Sequence, residues 1–294
     1  MLKALSLKIM KEPQTITIKP HELPDSNTYL YRYVSIDKLI DFLINQRLSF
    51  TIFDVFEDKL EGITINEVAL NYMSEEEAKS AFFKEISKMV TISLNANKRN
   101  KYSAERKIFQ KSNFANCWYV SENESVAMWK LYSKNDSVAI KIPFNSLIRD
   151  INSLRFDINY HDVKSLSFGL VNYLGFDDKR NIGSALKNVY YQGFLKDNSF
   201  AHELEFRLII ETNFIDPPKV DQKDMILNEH IIEMYEEQDT KVIYIKFTDF
   251  KLLPFEIIFH PESKIWHKEN VKQIIKRFDL PFVTQESRLK KIFK

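Results

Sequence analysis

The sequence of 294 residues contains a single cysteine, Cys117. A disulfide within the chain is excluded, and so is a metal site built from several thiolates. Sparse cysteine is typical of proteins in a reducing compartment, so we expect a cytoplasmic protein. The sequence also lacks an apolar run of the about 20 residues that a membrane-spanning helix needs. Because lysines interrupt the apolar residues at the N-terminus, we expect a soluble protein without a membrane partner.

Glycine and histidine are scarce as well. The five glycines are not spaced as in a dinucleotide-binding turn or a phosphate-binding loop, which argues against the Rossmann and P-loop classes. Among the six histidines, the closest pair, His260 and His267, has no third ligand at metal-site spacing. The acidic turn at residues 54–61 lacks the ligand rhythm of a calcium loop. We therefore expect no metal.

Positive and negative charges balance, with 42 basic and 41 acidic residues. This balance gives no overall attraction to nucleic acid or anionic lipid, so nucleic-acid binding or cleavage is the weakest of the functions considered. The charges are unevenly spread, because residues 221–239 are mainly acidic and residues 264–294 mainly basic. These segments would be solvated helix faces, would dock on each other, or would form a basic binding face at the C-terminus.

Hydrophobic periodicity divides the chain into an N-terminal arm, residues 1–28, and one domain, residues 29–294. Three prolines and no sustained period mark the arm, which would be irregular or an edge strand. Strand patterns occur at residues 29–34, 47–53, 116–120, 137–142, 154–160, 200–211, 242–247 and 255–260, with a short strand near 282. Helix patterns occur at residues 36–44, 74–89, 121–132, 165–193 and 268–278, and an acidic helix follows residue 218.

The order of these elements indicates the fold class. Helices and strands are interleaved without a regular βαβ rhythm. We therefore expect an α+β protein, a single mixed domain with a central, mostly antiparallel β-sheet, split or continuous, flanked by helices.

The stretch with the most candidate chemistry runs from Phe200 to Glu211. Its apolar residues alternate with Glu203, Glu205 and Arg207, and a period of two is the signature of a half-buried strand. Same-face neighbours on a strand lie about 7 Å apart, so two carboxylates and a guanidinium would form a row. That row is either a site of chemistry or a solvent-exposed ladder of charges.

Four blocks of sequence occur in the order found in a known family. They are Leu30-Tyr-Arg-Tyr-Val with the strand at Leu48, the turn Phe56-Glu-Asp, the segment from Cys117 to Ile142 that contains Met128-Trp-Lys-Leu-Tyr, and Lys196 followed by His202-Glu-Leu-Glu-Phe-Arg-Leu. Together they resemble the bacterial family called domain of unknown function 2971 (DUF2971), over about residues 29–285. Three positions depart from the family pattern: Lys59 replaces proline, His202 replaces an aromatic and His260 replaces glycine. DUF2971 by itself implies no activity.

The layout is more distantly similar to that of ADP-ribosyltransferases. This resemblance implies NAD as a substrate held in a split β-sandwich, with an aromatic residue against the nicotinamide and a late glutamate bonded to its ribose. We assign that glutamate to Glu205, because a fixed carboxylate stabilises the positive charge that develops when the bond to nicotinamide breaks. Glu203 would orient an acceptor or act as general base. Arg207 would keep a carboxylate ionised or bind a phosphate with two hydrogen bonds.

Five further residues complete the predicted NAD site. Arg32, in the first strand of the domain, is a second phosphate ligand. Trp129 and Tyr132, three apart on a helix, would form a stacking wall or belong to the core. Tyr31 and Tyr33 share this ambiguity, and strand alternation sends both to the face opposite Arg32.

Three functions remain open at this point. The first is an NAD-consuming transferase or glycohydrolase, compatible with a toxin or phage-defence role, whose protein or nucleic-acid acceptor the sequence does not identify. The second is a non-catalytic protein-binding module, in which the glutamates and Arg207 form a structural network and the basic C-terminal face docks a partner. The third is nucleic-acid binding or cleavage. The sequence does not indicate the oligomeric state.

Overall fold

Strands form the centre of the molecule in the computed structural model, which describes residues 17–72, 96–149, 154–156, 163–185, 190–212, 240–247 and 249–293. Eleven strands build one sheet and two build a small separate sheet. In chain order they are β1 (Thr17–Pro20), β2 (Tyr29–Val34), β3 (Arg47–Ile52), β4 (Asn113–Ser121), β5 (Val138–Pro143), β6 (Leu154–Phe156), β7 (Val163–Leu170), β8 (Asn172–Leu174), β9 (Leu195–Asp197), β10 (Glu205–Thr212), β11 (Val242–Phe247), β12 (Glu256–Phe259) and β13 (Val283–Glu286).

The helices of the described residues are short to medium in length. They are α1 (Ile36–Asn45), α2 (Ile65–Tyr72), α3 (Ala96–Ser112), α4 (Val126–Tyr132), α5 (Phe144–Arg149), α6 (Lys179–Ala185) and α7 (Ile265–Arg277). Short 3₁₀ helices occupy Phe53–Val55, Asn198–Glu203, Phe250–Leu252 and Arg288–Lys291. The helix α1 has the predicted amphipathic spacing, because Leu39, Phe42 and Leu43 point into the core. Helices combined with a mostly antiparallel sheet confirm the α+β class.

The large sheet divides at strand β4. Its main path runs β1-β7-β10-β4-β2-β5-β12-β13, and a branch leaves β4 through β3 to β11 and β6. The first half of β4 pairs with β3, where Ala115 lies opposite Thr51. The second half pairs with β2, where Tyr119 lies opposite Tyr31. The sheet therefore branches at β4 toward β2 and toward β3, while its eleven strands remain connected in one sheet.

The main hydrophobic core lies against one face of the sheet. Strand β10 contributes Phe206, Leu208 and Ile210 to it, as the alternation in the sequence predicted. Burying one such side chain contributes about 1.5–3 kcal/mol. On the other face of β10, Glu205 and Arg207 are also buried. The strand is thus covered on both faces, and the alternatives of a half-buried strand and a solvent-exposed charge ladder are both wrong.

A second, smaller core fixes the segments that surround this charged face. Ile63 follows the turn after β3, Ile182 lies on α6 and Leu195 lies on β9, and the three pack in one cluster. Their packing sets the positions of two buried charged residues in the same segments, Glu61 and Lys196.

Two predicted elements are corrected by the structure. Residues 165–193 are not one helical region, because 163–170 form β7, 172–174 form β8, and among the described residues of this stretch only 179–185 form a helix. Strand β7 pairs with both β1 and β10, and ladder hydrogen bonds on two sides override local helix propensity. The helix predicted from residue 121 begins at Val126, where the Ser125 hydroxyl accepts a hydrogen bond from the N–H of Met128.

One further predicted element is confirmed, and three others lie outside the described residues. Strand β1, in the predicted N-terminal arm, adds a parallel edge strand to β7. The helices predicted at 74–89 and after residue 218, and the strand predicted at 157–160, lie outside the described residues.

Two glycines have backbone conformations that other residues adopt with strain. Gly62 has a φ of 75° and Gly193 a φ of 87°. A Cβ at Gly62 would clash with the ring of Phe109, and one at Gly193 would lie 2.7 Å from Cδ1 of Ile209. We expect Gly62→Ala and Gly193→Ala each to lower the free energy of unfolding by about 2–4 kcal/mol, because backbone strain and overpacking act together. Chemical denaturation measures the change.

Gly175→Ala is the matched control for these variants. A Cβ there would lie 3.5 Å from its nearest neighbour, Oδ1 of Asp177, which is an ordinary contact. Its free energy of unfolding should stay within about 0.5 kcal/mol of the wild type. Equal stability of all three variants would contradict the strain.

Candidate functional site

A cleft of about 560 Å³ opens where the sheet divides. Strands β2 and β4, the turn after β3, helix α4 and residues 196–205 supply its walls. Its polar lining includes Arg32, Asp58, Tyr132, Lys196, Glu203 and Glu205. Pockets that take small molecules usually measure about 300–1,000 Å³. The cleft is therefore large enough for a ligand of that class.

A buried arginine organises one side of the cleft. The Nη1 and Nη2 atoms of Arg207 donate to the two carboxylate oxygens of Glu61 at 2.7 and 2.8 Å. Its Nη2 and Nε donate to Oε2 of Glu205 at 2.6 and 3.1 Å, and Nη1 also donates to the carbonyl oxygen of Gly193 at 2.7 Å. All five N–H donors of the guanidinium are thereby used. Arg207 is fully buried. Of its two predicted roles, it therefore pairs with carboxylates and has no donor left for a phosphate.

Lys196 connects a third glutamate to this network. Its Nζ donates to Oε2 of Glu203 at 2.5 Å and lies 3.3 Å from Oε1 of Glu61 and 3.7 Å from Oε2 of Glu205. Burial lowers the pKa of a lysine, but the charges of Glu205 and Glu61 outweigh it and raise the pKa of Lys196. Three carboxylates against two cations leave the network with one negative charge.

Glu205 is held in its ionised form. Burial acts to raise the pKa of its carboxyl group, but the charges of Arg207 and Lys196 outweigh that effect and lower the pKa. The nearby thiol of Cys117 acts in the same direction and lowers the pKa of Glu205 further. Burial and then the charge of Glu205 raise the pKa of Cys117 well above its ordinary value, so this thiol is not an activated nucleophile.

Glu203 lines the cleft but does not lie on strand β10 with Glu205, where the sequence pattern predicted it. It ends the 3₁₀ helix Asn198–Glu203, and Leu204 adopts a left-handed conformation with a φ of 38° before β10 begins at Glu205. The predicted period of two therefore breaks at Leu204, whose side chain is 48% exposed instead of buried. Glu203 and Glu205 still meet, because Lys196 contacts both.

Tyr132 joins the network from helix α4. Its hydroxyl donates a short hydrogen bond to Oε1 of Glu203, and its side chain is 49% exposed at the cleft. Burial and the bond to Glu203 raise the pKa of Tyr132, so the phenol keeps its proton at neutral pH. Each oxygen of Glu203 thus accepts a hydrogen bond, one from Tyr132 and one from Lys196.

Arg32 lies at the split between the two branches of the sheet. From β2 its Nη2 donates across the gap to the carbonyl oxygen and Oγ of Ser49 on β3, at 3.2 and 3.3 Å. Burial lowers the pKa of Arg32 to about 10, which leaves it charged at neutral pH. Within the described ranges no carboxylate forms an ion pair with it. Lys38 also lines the cleft, and burial and the charge of Arg32 lower its pKa.

The remaining predicted aromatics belong mainly to the core. Trp129 is fully buried, packs edge-on to Tyr33 with ring centroids 4.8 Å apart, and donates from Nε1 to Glu124. It therefore does not form a stacking wall with Tyr132. Tyr31 and Tyr33 contribute to the lining of the cleft but are mostly buried. The Tyr31 hydroxyl donates to a backbone carbonyl, and that of Tyr33 accepts a backbone N–H.

Sequence reasoning missed Glu61 and Lys196 as site residues. In the sequence, Glu61 stands out only as part of the acidic turn at residues 54–61, and Lys196 only as part of a family block. The local signal for Glu61 is its place in the acidic turn, directly before Gly62. In the structure, the carboxylate of Glu61 lies 2.7 Å from Nη1 of Arg207. Nothing in the local sequence links either residue to a strand that lies far along the chain.

Searches of the described part of the chain show no group of three metal-ligating side chains and no helix long and apolar enough to cross a membrane. Comparisons with family models, with curated proteins and with solved structures found no match to the chain. The resemblances to DUF2971 and to ADP-ribosyltransferases therefore stay predictions from the sequence.

The buried network predicts a large effect of removing its central cation. Arg207→Met would leave Glu61 and Glu205 buried without their partner, so we expect the free energy of unfolding to fall by about 3–5 kcal/mol. Lys251→Met is the control, since Lys251 pairs with Asp279 on the exposed surface and such pairs contribute about 0–1 kcal/mol. Urea denaturation compares the two. A similar small loss in both variants would show that the network does not stabilise the fold.

The lowered pKa of Glu205 predicts how stability depends on pH. Its stabilising contribution is complete above the ordinary glutamate pKa of 4.5 and is lost as the pH falls through the lower folded pKa. We expect the wild type to lose stability below that value and Glu205→Gln to lose less. Denaturation midpoints measured across the acid range test this, with the exposed Glu262→Gln as control. Parallel curves for the wild type and Glu205→Gln would contradict it.

Proposed function

We propose that the protein is an NAD-consuming enzyme that transfers ADP-ribose to an acceptor or hydrolyses the bond between nicotinamide and ribose. The observation that carries the proposal is the convergence of Arg32, Tyr132, Glu203 and Glu205 on one cleft, although they lie far apart in the sequence. Membership in DUF2971, a cytoplasmic location and a toxin or phage-defence role belong to the same proposal.

Glu205 supplies the electrostatic part of the chemistry. Breaking the glycosidic bond develops positive charge on the ribose, and an oriented carboxylate with little access to water stabilises that charge. Arg207 fixes Glu205 through two hydrogen bonds and keeps it ionised. The network's residual negative charge adds to the same effect. No rearrangement of the protein is then needed when the charge appears.

Arg32 and Lys38 add positive charge to the lining of the cleft. A cation without a carboxylate partner in a partly buried site favours an anionic ligand group, so we assign the phosphates of NAD to these two residues. Glu203 and Tyr132 face the cleft beside Glu205 and orient the acceptor. The acceptor is water, a protein or a nucleic acid.

A protein-binding module is the second candidate function, and one observation favours it. Arg207 uses all of its N–H donors on Glu61, Glu205 and Gly193, which is the arrangement of a structural network. In this alternative the glutamates only stabilise the fold, and the basic C-terminal face docks the partner.

Nicotinamide release separates the two candidates. The purified protein should release nicotinamide from NAD, alone or with protein or nucleic-acid extract. Glu205→Gln should lower the rate by about 10²–10³-fold, the usual effect of removing one group that stabilises transition-state charge. Glu211→Gln is the matched control, because Glu211 lies on the same strand but pairs with Lys164 at the surface.

The controls define the opposing outcomes. Glu211→Gln should keep the wild-type rate, and the melting temperature of Glu205→Gln should show that the variant is folded at the assay temperature. No release by the wild type under any of these conditions rejects the enzyme. A lowered melting temperature of Glu205→Gln together with no release supports the structural network.

A further inference from the structure

Asp58 differs from the other carboxylates at the cleft in its hydrogen bonding. Its Oδ1 accepts the N–H of Leu60 at 2.8 Å, which fixes the side chain within its own turn. Among the described residues its Oδ2 has no hydrogen bond and no ion pair, although Asp58 lines the cleft. Glu61, Glu203 and Glu205, by contrast, are each held by Arg207 or Lys196.

The turn that carries Asp58 is rigidly attached to helix α3. Gln110 donates to the carbonyl oxygens of Lys59 and Glu61, at 3.2 and 2.8 Å, and Arg106 donates to that of Lys59. Asp58 is thus presented to the cleft on a fixed support. A carboxylate in a defined position with one free oxygen is the geometry that a proton acceptor needs.

The charged groups that act on Asp58 come from three elements. Burial raises the pKa of Asp58, the Leu60 N–H lowers it, the nearby charge of Glu61 raises it, and Lys196 and Arg207 lower it. The net shift is upward, opposite to that of Glu205. Two carboxyl groups whose pKa values are shifted in opposite directions suit different tasks, one as a proton carrier and one as a fixed charge.

We propose that Asp58 is the general base that activates the acceptor, a role that the sequence pattern suggested for Glu203. The inference rests on the proposed NAD-consuming activity. Asp58 Oδ2 takes a proton from water or from an acceptor hydroxyl. The oxygen of that water or hydroxyl then forms a bond to the anomeric carbon of the ribose. The bond from that carbon to the nicotinamide nitrogen breaks, and its electron pair leaves with neutral nicotinamide. The proton passes from Asp58 to solvent.

Glu203 is less suited to this step than Asp58. Both of its oxygens already accept hydrogen bonds, from Tyr132 and from the charged Lys196. A proton taken up by Glu203 would have to compete with these two donors for the same oxygens. Glu203 therefore positions groups at the cleft, and Asp58 carries the proton.

Asp58→Asn tests the inference in the chain of 294 residues. We expect kcat for nicotinamide release to fall by about 10²–10⁴-fold, the usual contribution of a general base, and the acid limb of the pH–rate profile to disappear. Added azide, a nucleophile with no proton to remove, should restore release in Asp58→Asn but not in Glu205→Gln. Asp37→Asn, on the exposed surface of α1 outside the cleft, is the matched control.

Stability provides the second readout. Because its folded pKa is raised, ionised Asp58 costs stability near neutral pH. Asp58→Asn should therefore melt at the same temperature as the wild type or higher. A lower melting temperature without azide rescue would assign Asp58 a structural role and overturn the inference.

The outcomes also separate this inference from the proposed function. Release by the wild type with an unchanged rate in Asp58→Asn rejects the role of Asp58 alone. The absence of release by the wild type rejects the NAD-consuming activity and, with it, the base. A slow Asp58→Asn variant that is rescued by azide supports both.

Discussion

The shared ion pair of Arg207 with Glu61 and Glu205 is the interaction on which the rest of the structure depends. Removing a guanidinium and two carboxylates from water is costly, and the cost is offset only when every donor finds an acceptor. Here the five N–H groups of Arg207 reach two carboxylates and one carbonyl oxygen. The acceptors come from the turn after β3, from β10 and from the loop before β9. One side chain on β10 thus joins its own strand to the loop before β9 and to the turn after β3, which is 146 residues away in the sequence.

This arrangement also decides what the cleft can do. The network is one positive charge short of neutrality, so the wall that bears Glu203 and Glu205 remains negative although nearly all of it is buried. The carboxylates are held before any ligand enters, because their positions are set by hydrogen bonds to Arg207 and Lys196. Preorganised charge of this kind acts on a developing positive charge without reorganisation. The stabilising role and the chemical role of the network are therefore compatible.

The sequence predicted what depends on local periodicity and missed what depends on long-range packing. Alternation located the core face of β10 and drew attention to Glu205 and Arg207, but it could not reveal the left-handed Leu204 that takes Glu203 off the strand. The 163–170 segment became a strand because two neighbours pair with it. Helical spacing put Trp129 and Tyr132, three residues apart, on one face of the helix, yet the core covers only Trp129, since α4 lies at the edge of the cleft.

The two signs of charge in the lining constrain any ligand of the cleft more than its volume does. Arg32 and Lys38 carry positive charge without a carboxylate partner among the described residues, whereas Glu203 and Glu205 in the same lining carry the excess negative charge of the network. A ligand with an anionic part and a cationic part would be bound in one orientation, because reversing it would place like charges together in a poorly screened site. Oxidised NAD, the substrate proposed above, has this distribution, with phosphates at its centre and a cationic pyridinium ring at one end. Under that proposal, the orientation that satisfies the charges brings the ring's bond to ribose toward Glu205.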